Sequence, residues 1–246
     1  MTATVLNPGM QSMLQSGPRT GLRHQGVPSG GAADPLSLAL ANRLVGNAWD
    51  AAAIEAALLG PTLRFDTDCA FAITGGLAKA RLGDVEVCWH ETVFAQAGDE
   101  LRVGAVIAGA RSYIAFAGGV QAERVLGSTS TNLQAGFGGF EGRALQAGDV
   151  LQTGTAESEA LVTPEEFRPI VSSSWGLRAC EAAETGSLRN TDRESLFGSN
   201  WVVDRRADRM GLRLDGPALE VSSDGRMPSA AVFPGTIQCP EDGVPY

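Results

Sequence analysis

The sequence predicts a mainly β protein with a few short helices. Short apolar runs are bounded by glycine turns along most of the chain, and glycine supplies 31 of the 246 residues. Segment 84–89 alternates apolar and polar residues, as a half-buried strand does. Segment 112–117 is rich in β-forming residues and ends at Gly118-Gly119. Together these features predict a barrel or a sandwich of short strands.

Further strand candidates lie at 63–65, 69–74 and 100–103. Ala97-Gly98-Asp99 and Ala147-Gly148-Asp149 each precede such a run. We interpret both as tight turns, because glycine supplies a positive φ and the Asp side chain caps local amides.

One helix is predicted after Asp34, which suits the N-cap, with Pro35 at the first helical position. Leu36, Leu40 and Leu44 form its apolar stripe, and Gly46 suits its C-terminal end. The alanine-rich stretch 50–59 is compatible with a helix or with a buried strand. A second short helix is expected over 191–197, and candidate strands at 170–171, around Trp175, at 201–203 and at 235–238.

Composition excludes several kinds of site. The net charge of −9 disfavours nucleic acid or anionic membrane as the main partner. Lys79 is the only lysine, and His24 and His90 are the only histidines, so a three-histidine metal site cannot form. The four cysteines contain no CxxC pair and are expected to be free thiols. No metal site is predicted.

No signal peptide or membrane-spanning run is visible, so a cytoplasmic protein is expected.

The small, acidic segment 153–168 is typical of a linker. It predicts two domains, residues 1–160 and 161–246.

Four segments carry candidate binding chemistry. In 19–47, glycines stand next to a helix start, which suits an anion or simply an irregular connection. In 127–139, four successive hydroxyls could bind ligand oxygens or belong to a solvated loop. In 204–213, four arginines could clamp an anion or pair with the interleaved acids. In 233–240, Gln238 could contact a substrate amide.

Taken in this order, the segments resemble the allophanate hydrolase subunit 2 family, also described as the biotin-dependent carboxyltransferase family. The resemblance covers nearly the whole chain, and the run from Gly26 to Asn47 is specific. The positions that carry it are Pro8-Gly9, Gln15, Arg19, Gly21, Gly26-Val27-Pro28, Gly31, Asp34-Pro35, Ala41 to Asn47, Glu55, Gly60-Pro61, Ala117-Gly118-Gly119, Leu126 to Ser130, Gly138-Gly139, Gly142-Arg143, Leu145, Gly148-Asp149, Asp208 to Gly211 and Pro234 to Gln238.

The resemblance implies two cyclophilin-like β-barrel domains. It implies one component of a multi-subunit 5-oxoprolinase, which opens 5-oxoproline to glutamate with ATP. The implied partners are a subunit 1-type protein, like the B-type component of 5-oxoprolinase, and the A-type component of the same complex. One alternative is the carboxyltransferase component of a biotin-dependent urea carboxylase-like system. Lys79 lacks the setting of a biotinylated lysine, so any biotin would come from another protein. Another alternative is a non-catalytic module that binds a kinase-inhibitor partner.

Site roles follow from the resemblance and the residue types as hypotheses. Asp34 is the expected base or orienting acid, and Arg209 the second catalytic candidate. The expected substrate-binding residues are Arg19, His24, Asn42, Ser128, Thr129, Ser130 and Gln238.

The sequence departs from the family pattern in three places. Ser16 and Pro18 stand where an Asp and a Gly are usual, so no catalytic carboxylate is expected at position 16. The family also continues beyond residues 243–245, so the second domain is expected to be truncated.

Overall fold

The computed structural model describes residues 1–220, 232–240 and 242–246. They divide into two compact units, Met1–Ser174 and Trp175–Tyr246. The domain boundary at residue 160 stays a prediction. Residues 221–231 and 241 of the predicted second domain lie outside the described residues.

The first unit is mainly β, as predicted. Its elements are β1 (Thr2–Asn7), β2 (Gln11–Gln15), α1 (Pro35–Leu44), β3 (Ala53–Ala57), β4 (Thr62–Phe65), β5 (Cys69–Leu82), β6 (Val85–Glu86), β7 (Thr92–Ala95), β8 (Glu100–Phe116) and β9 (Val150–Gln152), with short 3-10 helices at Arg23–Gln25 and Glu165–Phe167.

The long strand β8 organises the sheet. It pairs with β5 along one edge, while β4 and β3 share its other edge. The strand order is β2-β3-β8-β4-β1-β9, and β5 also pairs with β6 and β7. Register shifts interrupt the β5–β8 ladder between Gly75 and Ala80, and such irregularities bend and twist a sheet. The sheet curls into a half-barrel, and the cyclophilin-like assignment stays a prediction.

Alternate residues of β8 face two apolar clusters, as the pleat of a strand requires. Phe116 packs with Phe65 and Phe71 in the larger cluster, where the rings of Phe65 and Phe71 stack at 5.1 Å between centroids. Tyr113 and Ala115 belong to the second cluster, which α1 covers.

Helix α1 confirms its predicted start. The Asp34 carboxylate accepts a hydrogen bond from Ser37 N at 3.0 Å, so Asp34 is the N-cap. The predicted apolar stripe is only partly right. Leu44 is buried, but Leu36 is exposed, and Leu38 and Ala41 complete the buried face. The prediction was wrong for Leu36 because an α-helix has 3.6 residues per turn, so residues four positions apart do not stay on the same face over two turns.

Both predicted Gly-Asp turns are confirmed. Gly98 and Gly148 have φ values of +97° and +94°. Asp99 and Asp149 each accept a bond from the amide three residues earlier, at 2.8 and 2.7 Å.

The stretch 50–59 contains a strand rather than a helix, because β3 is buried between β2 and β8. Here sheet pairing outweighs the helix propensity of alanine. The strands expected at 170–171, around Trp175 and at 235–238 do not form among the described residues.

The second unit contains a 3-10 helix at Ala183–Ser187, α2 (Asn190–Gly198), β10 (Val202–Val203) and β11 (Leu214–Asp215). Helix α2 and strand β10 confirm the elements expected over 191–197 and 201–203. Neither α1 nor α2, the α-helices of the described residues, has the length and apolar character needed to cross a bilayer.

Candidate functional site

The glycine-rich segment between β2 and α1 closes into a surface loop. Arg19 N donates to Ser29 O at 2.6 Å, and Ala32 N donates to Ser16 O at 3.0 Å. These bonds join the two ends of the loop. They fix the Arg19 backbone beside β2, from where its side chain enters the protein.

The Arg19 guanidinium is buried against the segment that follows β8. Only 1% of the residue is exposed. Its Nε donates to Val125 O at 3.0 Å and its Nη2 donates to Ser130 O. The guanidinium carbon lies 4.8 Å from the centre of the Phe137 ring, a cation–π contact. Nη1 is buried and has no hydrogen-bond partner among the described residues.

No carboxylate among the described residues balances this charge. The ion pairs of residues 1–220, 232–240 and 242–246 do not include Arg19, and burial alone lowers the pKa of its guanidinium. The acidic Glu123 lies nearby but accepts from Gly138 N at 3.1 Å instead. A buried cation in this state is well suited to bind an anion.

The predicted hydroxyl ligands are largely engaged by the protein itself. Ser128 Oγ donates to Gly17 O at 2.6 Å. Ser130 Oγ accepts from Ser16 N at 3.0 Å and lies 3.2 Å from Ser16 Oγ. Thr129 is half-buried and makes no side-chain hydrogen bond with the described residues. Ser128 and Ser130 therefore tie the segment after β8 to the end of β2.

Asn42 also serves packing. It is fully buried on α1, and its Nδ2 donates to Ala51 O at 2.9 Å while its Oδ1 accepts from Asn47 at 3.0 Å. Asn47 in turn donates to Phe116 O at 2.8 Å. This amide pair binds the end of α1 to the sheet. The substrate-positioning role of Asn42 stays a prediction.

Asp34 uses its two oxygens at the start of α1. Oδ1 accepts from Ser37 N, and Oδ2 accepts from the Ser37 hydroxyl. The side chain is half-buried. Both oxygens keep further lone pairs, so capping and proton transfer are compatible for this carboxylate.

The three remaining predicted site residues belong to other elements of the structure. His24 is exposed in the 3-10 helix at Arg23–Gln25. Arg209 and Gln238 belong to the second unit, where Arg209 is half-buried and Gln238 is exposed. The expected self-neutralisation of segment 204–213 is visible at Arg206, which pairs with Asp204 at 2.6 Å.

Sequence reasoning gave no role to a buried network at the start of α1. Glu55 on β3 is 2% exposed. Its Oε2 accepts from Tyr113 OH at 2.8 Å and from Ala33 N at 2.9 Å, and its Oε1 lies 3.3 Å from Arg111 Nε. Burial and the Glu55 charge raise the pKa of Tyr113. The sequence feature that could have indicated this network is Glu55 itself, a charged residue within the apolar run 51–59.

Two further buried polar groups were also given no role. Gln15 Oε1 and His90 Nδ1 have no hydrogen-bond partner in the part of the chain that the structure describes. Burial, and then the charge of Arg168, lower the pKa of His90. Among the described residues, no three His, Cys, Asp or Glu side chains gather as a metal site would require.

Comparison with known proteins identifies relatives over nearly the whole chain. The family model "Carboxyltransferase domain, subdomain A and B" matches residues 25–246. The chain is 35% identical to the C-type component of 5-oxoprolinase from Escherichia coli (strain K12), over 98% of this chain and 77% of that protein. It is also 35% identical to urea amidolyase of Lachancea kluyveri, over 87% of this chain and 12% of that protein.

Solved structures agree with this relationship. The crystal structure of TTHA0988 matches 99% of this chain and 47% of its own, with 30% identity and a TM-score of 0.87. The Kluyveromyces lactis urea carboxylase matches 90% of this chain with 32% identity and a TM-score of 0.83. The chain spans about a fifth of that enzyme, the matched share being 21%. The chain therefore belongs to the family of the carboxyltransferase domain, subdomains A and B.

Proposed function

We propose that the chain is one component of a multi-subunit 5-oxoprolinase that hydrolyses 5-oxoproline to glutamate with ATP. The observation that carries this proposal is the share of each relative's length that the chain matches. The similarity to the C-type component of 5-oxoprolinase includes 98% of this chain and 77% of the relative, whereas the similarity to urea amidolyase includes 12% of that enzyme.

The chemistry requires an activated amide. An unstrained lactam resists water, so transfer of the ATP γ-phosphoryl group to its carbonyl oxygen, with release of ADP, would first activate the carbonyl carbon. One water then attacks that carbon and the carbon–nitrogen bond breaks, which gives γ-glutamyl phosphate. A second water hydrolyses this acyl phosphate to glutamate and inorganic phosphate. Arginines and backbone amides would stabilise the developing negative charge, and a carboxylate such as Asp34 would accept the proton of the water.

The arrangement of this chain supports a shared site. Ser128, Ser130 and Asn42 are engaged within the first unit. We infer that the remaining groups, including the nucleotide site, come from two partners. These are a subunit 1-type protein, like the B-type component of 5-oxoprolinase, and the A-type component. Cytoplasmic location is part of the same proposal, since ATP is required.

The test is reconstitution of the three components with 5-oxoproline and ATP. We expect glutamate release that requires this chain. Tight partner binding without turnover would contradict the enzymatic proposal and support the kinase-inhibitor module.

The carboxyltransferase function is the second candidate, because the matching family model is of a carboxyltransferase domain and two of the matching solved structures are a urea amidolyase and a urea carboxylase. In that reaction a biotin carried by another protein would deliver a carboxyl group to urea. Urea-dependent turnover with a biotin carboxylase, without 5-oxoproline cleavage, would favour it.

Substitution of Asp34 by Asn separates catalysis from capping. Asparagine is a good N-cap, so Asp34→Asn preserves the start of α1. If Asp34 is the base, kcat of the complex falls by about 10²–10⁴-fold at an unchanged melting temperature. A loss smaller than tenfold would assign the carboxylate to helix capping alone. The matched control is Asp50→Asn, an exposed acid in the loop after α1.

A further inference from the structure

The free end of the Arg19 guanidinium faces the glycine-rich loop. Nε and Nη2 are held by the carbonyls of Val125 and Ser130, which fixes the plane of the group. A Cβ atom built on Gly30 would lie 3.1 Å from Nη1, the nitrogen for which the described residues supply no hydrogen-bond partner. The loop backbone at Gly30 therefore covers the unpartnered donor directly.

Glycines make room for the guanidinium on two sides. A Cβ atom on Gly138 would lie 2.7 Å from Nη2, which is shorter than a van der Waals contact. Gly30 and Gly31 have φ values of +59° and +88°, a region that other residues enter at a cost. Gly30 itself is exposed, so the loop beside Nη1 borders solvent.

The charge of the site indicates the kind of ligand. One buried guanidinium, without a carboxylate partner among the described residues, is neutralised by one negative charge. A carboxylate supplies one negative charge. The phosphates of a nucleotide carry several and would leave the site with an excess of negative charge. 5-Oxoproline carries one carboxylate beside its ring nitrogen, and urea carries none.

We propose that Arg19 Nη1 binds the carboxylate of 5-oxoproline, which enters beneath the loop at Gly30. This assignment rests on the proposed 5-oxoprolinase function and identifies the part of the substrate that this chain recognises. The bond is a charge-assisted one in a water-poor site, made to a group that does not react. It sets substrate affinity and selects the acid over neutral lactams.

The first test compares two lactams in the reconstituted complex. With Arg19→Met, kcat/KM for 5-oxoproline falls by about 10- to 100-fold, mainly through KM, because one charged hydrogen bond is lost. For 2-pyrrolidinone, the same ring without the carboxylate, the loss is at least tenfold smaller. KM for ATP stays within about twofold of the wild-type value.

A second variant guards against misfolding of Arg19→Met. Gly30→Ala places a methyl group 3.1 Å from Nη1 and so raises KM for 5-oxoproline. The matched control is Gly21→Ala, because Gly21 has a φ of +77° with nothing within 4 Å of the added Cβ. Gly21→Ala introduces a similar backbone strain in the same loop, and we expect its KM for 5-oxoproline to stay near the wild-type value.

The outcomes distinguish this assignment from the proposed function. Equal losses for both lactams, or a rise in KM for ATP instead, would overturn the carboxylate site while 5-oxoprolinase activity stands. If the complex shows no turnover, calorimetry of the full chain decides. Binding of 5-oxoproline but not 2-pyrrolidinone, abolished by Arg19→Met, supports the site, and absence of binding overturns it.

Discussion

Glu55 and Arg19 are both charged and both almost fully buried, but only Glu55 has partners that balance its charge. Its two oxygens contact a tyrosine hydroxyl, a backbone amide and the arginine Arg111. Arg19 contacts two carbonyls and an aromatic ring, and within the described part of the chain its Nη1 has no hydrogen-bond partner. Burial of a charge is costly in both regions. The difference indicates that the Glu55 network is structural, and it supports the proposed anion site at Arg19.

Removal of Glu55 tests the structural side of this comparison and has the largest expected effect. Glu55→Ala leaves Tyr113 OH, Ala33 N and Arg111 without their acceptor. We expect the free energy of unfolding to fall by about 3–5 kcal/mol, as for other broken buried pairs, in chemical denaturation of the full chain. Glu86→Ala, at an exposed position in β6, should change it by less than about 0.5 kcal/mol. A similar small loss for Glu55→Ala would contradict the structural assignment.

Addition of 5-oxoproline tests the proposed anion site at Arg19. A carboxylate that binds only the folded chain at one hundred times its Kd stabilises that chain by about 2.7 kcal/mol. We expect 5-oxoproline to raise the melting temperature of the wild-type chain and of Glu86→Ala, and to leave that of Arg19→Met unchanged. An equal rise in Arg19→Met would show that the acid binds elsewhere.

Local features of the sequence predicted local structure well. The Asp34 cap and the two Gly-Asp turns depend on residues within a few positions of one another, and all three are confirmed. The strand β3 could not be separated from a helix, because its conformation depends on β2 and β8, which are distant in sequence.

The candidate site shows the same division. Arg19 was expected to contact an anion on the basis of residue type and family resemblance, and its position beside Phe137 and Gly30 required the fold. The hydroxyls of Ser128 and Ser130 were expected to face a ligand or solvent. They are buried instead, because the segment that holds them lies against Ser16, more than one hundred residues earlier.

A third prediction concerns Ser130, whose backbone carbonyl binds Arg19 and whose hydroxyl belongs to an uncharged hydrogen-bond network with Ser16. In Ser130→Ala, Ser16 N loses its acceptor, and we expect the free energy of unfolding to fall by about 2 kcal/mol. Thr129→Ala is the matched control, because Thr129 makes no side-chain hydrogen bond with the described residues. Denaturation of both variants measures the difference. Equal stability of the two would mean that the Ser16–Ser130 contact contributes little.

The smallest expected effect is a pH dependence confined to the Glu55 region. Burial and the neighbouring carboxylate raise the pKa of Tyr113 in the folded chain, whereas the pKa of an unfolded tyrosine is about 10. The folded state therefore holds a proton that the unfolded state releases. The contribution of Tyr113 is complete below pH of about 10 and is lost above it, by about 1.4 kcal/mol per pH unit.

Tyr113→Phe isolates this contribution, since phenylalanine fills the same apolar space without an ionisable group. We expect the variant to be less stable than the wild-type chain at pH of about 8 and the difference to shrink as the pH rises to about 11. Denaturation at matched pH values measures both. The Arg19 side chain contacts two carbonyls and a phenylalanine ring rather than a tyrosine hydroxyl, so no such convergence is expected for Arg19→Met. A pH-independent gap between Tyr113→Phe and wild type would show that burial and the Glu55 charge do not raise the pKa of Tyr113, and would contradict the buried, charge-balanced network described at Glu55.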